Sequence, residues 1–298
     1  MTTEVCVDDA TGRKYTLDSP DDPSGGGLTF ILDLHGGGSV GAWQREYFPA
    51  YDHVERQRLV IATPSAATKE PFRMWVGEAD DEHLQNVVNQ VVDRFGADDI
   101  RAFWLVGHSQ GGMTSNRLLR TDFFADRVDG WLSLSGGRLG PAEVPEDFGP
   151  PPTPGRERPT LDREARRRML STDLPETDLS FIFAVGEHEV VALPETSPWA
   201  ERYGAGPREQ LPDVVDDEPG KIHDGRWDGG STKSWGMLPR PGTAQAFTYP
   251  GAAGGRVIAD VVRLDKGHTE GLEPKVTELL VDLIVSAPGG KLHQLATT

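Results

Sequence analysis

Short apolar runs separated by turn residues constrain the fold of this chain more strongly than any other feature of its sequence. Four of them are rich in β-branched and aromatic residues and end in glycine or turn residues, which is typical of strands buried on both faces of a parallel sheet. Two further runs have the same character. The sequence therefore predicts strands at residues 28–34, 59–62, 102–106, 131–134, 181–185 and 257–264.

Apolar residues spaced by three and four positions predict helices between and after these runs. The first stripe comprises Leu84, Val87, Val88, Val91, Val92 and Phe95, and the second comprises Leu272, Val276, Leu279, Leu280, Leu283 and Ile284. Pro274 suits the first turn of the second helix. Strands that alternate with helices predict an α/β fold with a mostly parallel, doubly wound sheet and helices on both of its faces.

We expect residues 1–298 to form a single domain that carries two insertions. Residues 138–178 contain eight prolines and many charges of both signs, with a short helix whose apolar side is Leu161, Ala165 and Met169. This composition predicts a cap or lid. Residues 194–242 are rich in Gly, Pro and Asp and include Trp199, Trp227 and Trp235, which predicts a loop-rich insertion whose aromatic side chains need packing partners.

The charge balance narrows the classes of partner. With 30 Lys and Arg against 47 Asp and Glu, the formal net charge is −17, so binding to nucleic acid or to an anionic membrane through a basic field is not expected. No apolar stretch reaches the roughly 18 residues that span a bilayer, and the first residues do not form an export signal. We therefore expect a cytoplasmic protein, or a secreted one if a leader has been removed. The single cysteine, Cys6, allows no internal disulfide.

The motif GHSQGG at residues 107–112 directly follows the buried run 102–106 and precedes a segment compatible with a helix. A nucleophile on a sharp strand-to-helix turn needs glycine two residues before it and two after it, because side chains there would collide with the neighbouring strand and helix. The helix N-terminus also favours developing negative charge. The motif therefore predicts Ser109 as a nucleophile. The alternative is a tight turn whose serine has no chemical role.

A second glycine-rich motif, LHGGGS at residues 34–39, follows the buried run 28–34. Consecutive glycines allow backbone N–H groups to approach an acyl oxygen closely, so Gly37 or Gly38, together with the amide of Gln110, could form an oxyanion hole. The sequence does not decide between the two glycines. A flexible turn or a phosphate-binding loop is the alternative, but the nucleotide fingerprint GxGxxG is absent.

A serine nucleophile needs a general base and an acid that orients the base, and in this type of architecture the chain order is Ser, then acid, then His. Among eight histidines, we favour His268, because it follows a late strand and precedes the last amphipathic helix. His293 lies in a polar C-terminal tail, and His188 and His223 are weaker alternatives. His35 and His108 belong to the two glycine motifs, where structural roles are expected.

The acid should follow the strand predicted at 181–185, where the sequence reads GEHEVV. We favour Glu189, with Glu187 second and Asp265 third. A glutamate can hold the imidazole tautomer as an aspartate does, with one more methylene group of reach. A pair of solvated loop carboxylates is the alternative.

These residues resemble the α/β-hydrolase superfamily, and more narrowly the poly(3-hydroxybutyrate) depolymerase and feruloyl-esterase-like group. The likeness is carried by LDLHGGGS, LVIATPS, IRAFWLVGHSQGGM, WLSLSGG, AVGEHEVV and KGH. It implies hydrolysis of a small or oligomeric carboxylic ester: Ser109 attacks the carbonyl, His268 takes and returns the proton, and Glu189 orients His268. Members usually carry aspartate at the position of Glu189. The resemblance implies no metal or organic cofactor.

Several choices remain open within this interpretation. Trp43 and Trp75 could line an acyl or aromatic pocket, although large aromatic residues near strand ends often belong to the core. His223, Asp224 and Asp228 could suggest a cation site, but their loose spacing argues against one. A thioesterase, lactonase or peptidase could use the same triad, and a catalytically silent binding protein could keep the fold. The presence of both a nucleophile and a base argues against the silent alternative.

Overall fold

A mixed β-sheet forms the centre of the molecule. The computed structural model describes residues 1–69, 73–140, 143, 145, 173–224 and 233–296, and in these ranges the sheet has eleven strands. The strands are β1 (Thr2–Asp8), β2 (Arg13–Ser19), β3 (Leu28–Leu34), β4 (Leu59–Pro64), β5 (Ile100–His108), β6 (Gly130–Leu134), β7 (Ser180–Gly186), β8 (Glu209–Gln210), β9 (Val214–Val215), β10 (Thr243–Thr248) and β11 (Ile258–Arg263).

The helices connect these strands and cover the sheet. They are α1 (Gly41–Tyr47), α2 (Val54–Gln57), α3 (Gly77–Phe95), α4 (Gln110–Leu118), α5 (Asp122–Ala125), α6 (Pro198–Arg202), α7 (Pro274–Ser286) and α8 (Lys291–Ala296). The apolar stripe of α3 is buried in one hydrophobic core, and that of α7 is buried in a second core. Both amphipathic helices are therefore where the sequence predicts them, except that Leu272 precedes α7.

The strand order is β1-β2-β4-β3-β5-β6-β7-β11-β10-β8, with β9 also paired to β10. The six central strands are parallel: β4, β3, β5, β6, β7 and β11. They are the six strands that the apolar runs predict. All residues of β3, β4, β6 and β7 are buried, as expected of a sheet covered on both faces. The predicted α/β class is thus confirmed.

Antiparallel strands extend both edges of the sheet, and the sequence analysis did not predict them. At one edge β1 and β2 pair with each other and β2 pairs with β4, and at the other edge β10 pairs with β11. The segment 194–242 contributes α6, β8 and β9, so it is partly built into this second edge. His293, expected in a tail, lies on α8.

The proposed cap at 138–178 falls mostly outside the described residues. Leu161, Ala165 and Met169, for which the sequence predicts a short helix, lie outside the described residues, as do Trp227 and Asp228 of the second insertion. The division into one domain with a cap and a loop-rich insertion therefore stays a prediction.

The register of the parallel strands brings their carboxyl ends to one edge. Leu34 of β3 and Ser133 of β6 both pair with Gly107 of β5, and Gly186 of β7 pairs with Arg263 of β11. Segments far apart in sequence leave the sheet side by side at this edge, which is where open α/β sheets bind their ligands.

Candidate active site

Ser109 occupies a strained turn between β5 and α4. Its φ of 52° and ψ of −117° are rare for a residue with a side chain. The strand and helix approach so closely that a Cβ at Gly107 would lie 2.3 Å from the carbonyl carbon of Gly111, and one at Gly111 would lie 2.1 Å from the Leu34 oxygen. The glycines of the motif therefore permit this packing, and the Ser109 side chain stands at the N-terminus of α4.

His268 lies beside Ser109, in the loop between β11 and α7. Its Nε2 is 2.8 Å from the Ser109 Oγ, which is hydrogen-bond distance. The backbone of His268 is held at both ends: its N–H donates to the Ser234 oxygen at 3.1 Å, and its carbonyl accepts from the Tyr47 hydroxyl at 3.3 Å. The imidazole is thus positioned to accept a proton from the serine.

Glu189 contacts the far side of the imidazole. It closes a 3₁₀ turn, Glu187–Glu189, directly after β7, and its Oε2 is 2.6 Å from the His268 Nδ1. Its other oxygen accepts hydrogen bonds from the Ser135 hydroxyl and the Gly186 N–H, both at 2.8 Å. The carboxylate is therefore fixed in orientation. It can hold the His268 tautomer that carries its proton on Nδ1 and leaves Nε2 unprotonated, so that Nε2 can act as a base.

The competing acids and histidines have other partners. Glu187 accepts a hydrogen bond from the backbone N–H of Asp265 at 2.7 Å, and Asp265 lies 2.7 Å from His188. His293 pairs with Asp98 on the surface, also at 2.7 Å. Of the three candidate acids, Glu189 is the one that the structure brings to His268.

The N–H groups of Gly37 and Gly38, in the glycine loop after β3, differ in whether they have an acceptor within the described residues. The Gly38 N–H already donates to the Arg73 carbonyl at 2.7 Å, so it is not available to an oxyanion. This corrects the expectation that Gly38 could be the oxyanion donor. For the N–H groups of Gly37 and Gln110, no hydrogen-bond acceptor occurs in the part of the chain that the structure describes. Gln110 is the first residue of α4, where N–H groups have no partner within the helix. These two groups can receive a developing oxyanion.

His35 holds the peptide that carries the Gly37 N–H. Its Nδ1 is 2.7 Å from the Gly36 carbonyl, and its Nε2 accepts the Ala66 N–H at 3.0 Å, so Nδ1 carries the proton and the ring is neutral. Burial lowers the pKa of His35 to about 4, which keeps it neutral near pH 7. Because C=O and N–H point in opposite directions across a trans peptide, fixing the Gly36 oxygen also fixes the direction of the Gly37 N–H.

The two tryptophans proposed as substrate-binding residues are placed differently. Trp75 is 5% exposed. It packs on His35 with ring centroids 4.7 Å apart, and its indole N–H donates to the His35 carbonyl at 2.8 Å. It supports the glycine loop and does not line the cavity above it, so the expectation for Trp75 is corrected. Trp43 does line that cavity.

A cavity of about 240 Å³ opens at Ser109. The glycine loop, Trp43, His268 and Trp235 form its walls, and Asp224 adds a carboxylate. In the described residues, no group of three or more His, Cys, Asp and Glu side chains could hold a metal ion, and of the proposed cation ligands Asp228 lies outside them.

Buried ion pairs that the sequence analysis missed fix the His268 loop. Arg263, Lys266, Glu270 and Glu273 are at most 3% exposed. Glu273 accepts from Arg263 at 2.9 Å and from Lys266 at 2.8 Å, and Glu270 accepts the Gly267 N–H at 3.1 Å. Although burial raises the pKa of Glu273, the charges and hydrogen bonds of Arg263 and Lys266 together outweigh this effect and leave the pKa below its ordinary value. The dense charges around the KGH motif are the sequence feature from which these ion pairs could have been predicted.

Comparisons with known proteins identify the fold. No protein-family model and no curated protein sequence matches the chain. An acetyl xylan esterase from Aspergillus awamori is similar in structure, with a TM-score of 0.51 at 10% identity, over 96% of this chain and 100% of that one. This similarity, with the strand order, confirms the predicted α/β-hydrolase fold.

More distant structures include S-formylglutathione hydrolase (FrmB) from Staphylococcus aureus, with a TM-score of 0.39 at 16% identity, over 62% of this chain and 79% of that one. Est1E from Butyrivibrio proteoclasticus has a TM-score of 0.36 at 12% identity, over 63% of this chain and 78% of that one. The narrower depolymerase and feruloyl-esterase resemblance stays a prediction. None of the helices in the described residues is long and apolar enough to cross a membrane.

Proposed function

We propose that this protein is a serine hydrolase that cleaves carboxylic esters through an acyl-enzyme. One observation carries the proposal: Ser109, His268 and Glu189 form a continuous line of hydrogen bonds of 2.8 Å and 2.6 Å, and Ser109 and His268 line a cavity. The strained backbone of Ser109 supports it further, because such strain persists where the surrounding structure holds a functional side chain in place.

In the proposed mechanism, Ser109 Oγ attacks the ester carbonyl while His268 Nε2 takes its proton. Glu189 orients the imidazole and stabilises its charged form. The N–H groups of Gly37 and Gln110 stabilise the negative oxygen of the tetrahedral intermediate, and each such donor contributes roughly 3 kcal/mol to transition-state stabilisation. His268 then protonates the leaving alcohol. Water next attacks the acyl carbonyl while His268 takes its proton, and His268 returns that proton to Ser109 Oγ as the bond between this oxygen and the acyl carbon breaks, which releases the carboxylic acid.

The cavity favours a short acyl group. Its volume of about 240 Å³ lies below the range of roughly 300–1,000 Å³ that is usual for pockets enclosing drug-sized ligands. Two aromatic walls, Trp43 and Trp235, suit an apolar acyl group or a small ring. An oligomeric ester would place its reacting end here and leave the rest of its length outside.

Ester hydrolysis with and without Ser109 tests the proposal. We expect the wild-type chain to hydrolyse p-nitrophenyl acetate and butyrate faster than the octanoate, and S109A to lose at least about 1,000-fold in kcat. A fluorophosphonate should label the peptide that contains Ser109. The control is S24A, which removes a serine in the turn before β3 and should leave both results unchanged. Hydrolysis that survives in S109A, or a label on another serine, would remove the proposed mechanism.

A further inference from the structure

His108, which immediately precedes Ser109, contacts His268, Tyr47 and the glycine loop. Its ring is 3% exposed. Its ring centroid lies 4.8 Å from the ring centroid of His268 and 4.1 Å from that of Tyr47. Towards the glycine loop it leaves no room for a side chain, because a Cβ at Gly36 would be 2.8 Å from its Nδ1.

The hydrogen bonding of His108 defines its tautomer. Nε2 is 2.8 Å from the carbonyl oxygen of His268, and since that oxygen can only accept, Nε2 carries the proton. Nδ1 is buried and has no hydrogen-bond partner in the residues that the structure describes. Burial holds the pKa of His108 well below its ordinary value, and the adjacent His268 lowers it further. His108 is therefore a neutral donor and does not act as a second base.

The carbonyl that His108 contacts belongs to a residue without support from regular secondary structure. His268 lies in the loop between Arg263, the end of β11, and Pro274, the start of α7. Ser109, by contrast, is held to the sheet, because its N–H donates to the Leu134 oxygen at 2.8 Å. A hydrogen bond from the residue next to Ser109 to the His268 backbone thus joins a loop outside regular secondary structure to the turn that carries the nucleophile.

We propose that His108 is a positioning residue for His268, whose Nε2–H donor ties the His268 loop to the Ser109 turn and sets the separation of hydroxyl and imidazole. The inference rests on the proposed function, because it concerns the geometry of the same triad. A neutral ring suits this role. When His268 becomes charged during the reaction, a neutral neighbour at 4.8 Å adds no repulsion of like charges.

Two substitutions separate the donor from the packing. H108F keeps a ring but removes the donor, whereas H108Q removes the ring but places an amide N–H near the position of Nε2. We expect H108F to lower kcat for p-nitrophenyl acetate about 10- to 100-fold with KM changed less than about threefold, because displacement of a reacting group by 1 Å can reduce the rate about 100-fold. H108Q should stay within about fivefold of the wild type.

Y47F provides a graded comparison. It removes the other donor to the same carbonyl, at 3.3 Å instead of 2.8 Å, and keeps an aromatic ring. We expect a smaller loss in kcat than in H108F, because the shorter bond remains. H108F activity equal to or above that of H108Q, or a change confined to KM, would assign His108 to packing or substrate contact and overturn the inference.

A second readout does not require activity. The proton between His268 Nδ1 and Glu189, whose heavy atoms are 2.6 Å apart, should give a low-field NMR resonance in the wild type and H108Q that is lost or broadened in H108F. An unchanged resonance in H108F refutes the inference, while a wild type that hydrolyses no ester refutes only the proposed function. If H108F does not fold, H108N replaces it, because its shorter amide falls at the position of Nδ1.

Discussion

Replacing His35 with leucine tests how the glycine loop after β3 is held in place. The imidazole Nδ1–H donates to the Gly36 carbonyl at 2.7 Å, and this contact sets the direction of the Gly37 N–H across the same peptide. In H35L the Gly36 oxygen keeps only the Ser39 N–H, at 3.2 Å. The peptide can then rotate, and part of the population presents a carbonyl instead of an N–H group to the reacting oxygen.

The size of the effect follows from the value of one donor. Removing an oxyanion donor reduces kcat by roughly 100- to 1,000-fold, or about 3 kcal/mol. Because the Ser39 contact and the Gly38 hydrogen bond to Arg73 remain, we expect H35L to lose less than a full donor is worth, about 10- to 100-fold in kcat. KM should change little, because the donor acts mainly on the transition state.

H35N is the matched variant. Its side-chain amide places an N–H near the position of Nδ1, whereas both variants lose the acceptor for the Ala66 N–H and the ring that packs on Trp75. Initial rates with p-nitrophenyl acetate, together with thermal unfolding, should show similar stabilities and at least tenfold higher kcat in H35N than in H35L. Equal kcat values in the two variants, or a rise in KM with kcat unchanged, would refute the argument that His35 acts through the Gly36–Gly37 peptide.

Three further outcomes follow from the same contacts. E189Q should fold normally but lose about 1,000- to 10,000-fold in kcat, because an amide does not hold the imidazole tautomer; a loss below tenfold in steady-state assays contradicts its assignment. R263M leaves the Glu273 carboxylate buried and less well compensated, so urea unfolding should show a stability lower by about 3–5 kcal/mol, and a change below about 1 kcal/mol contradicts this. For His35, the unfolded chain takes up a proton near pH 6.5 but the folded chain only near its pKa of about 4. Between these two pH values, the folding stability of the wild type should therefore decrease as the pH decreases, by up to about 3 kcal/mol. A stability difference between wild type and H35N that does not vary with pH contradicts this expectation.

The central sheet could be predicted because its strands are buried on both faces. Continuous apolar runs give the strongest strand signal, and the predicted run at 28–34 coincides with β3. The edge strands lack this signal. In β1, exposed residues such as Val5 alternate with partly buried ones, and its pairing with β2 depends on contacts that no local pattern specifies.

Ser109 and His268 could be selected from sequence as candidate nucleophile and base because each follows a buried strand, and chain order then limits the alternatives. The choice of oxyanion donor could not be made in this way. Gly37 and Gly38 are neighbours of the same type, and the difference between them is the hydrogen bond from Gly38 to Arg73, a residue 35 positions further along the chain. Neither spacing nor composition encodes that contact.

The acid shows how a local turn decides between chemically equal candidates. Glu187 and Glu189 flank one residue of a 3₁₀ turn, in which each residue advances about a third of a turn, so their side chains leave in different directions. The His188 N–H donates to the Lys266 carbonyl at 3.0 Å, which anchors this turn to the His268 loop. Glu189 then points to His268, and Glu187 to the Asp265 backbone. Reversing the two roles would require this backbone contact to break, so E187Q should leave kcat nearly unchanged where E189Q removes most of it.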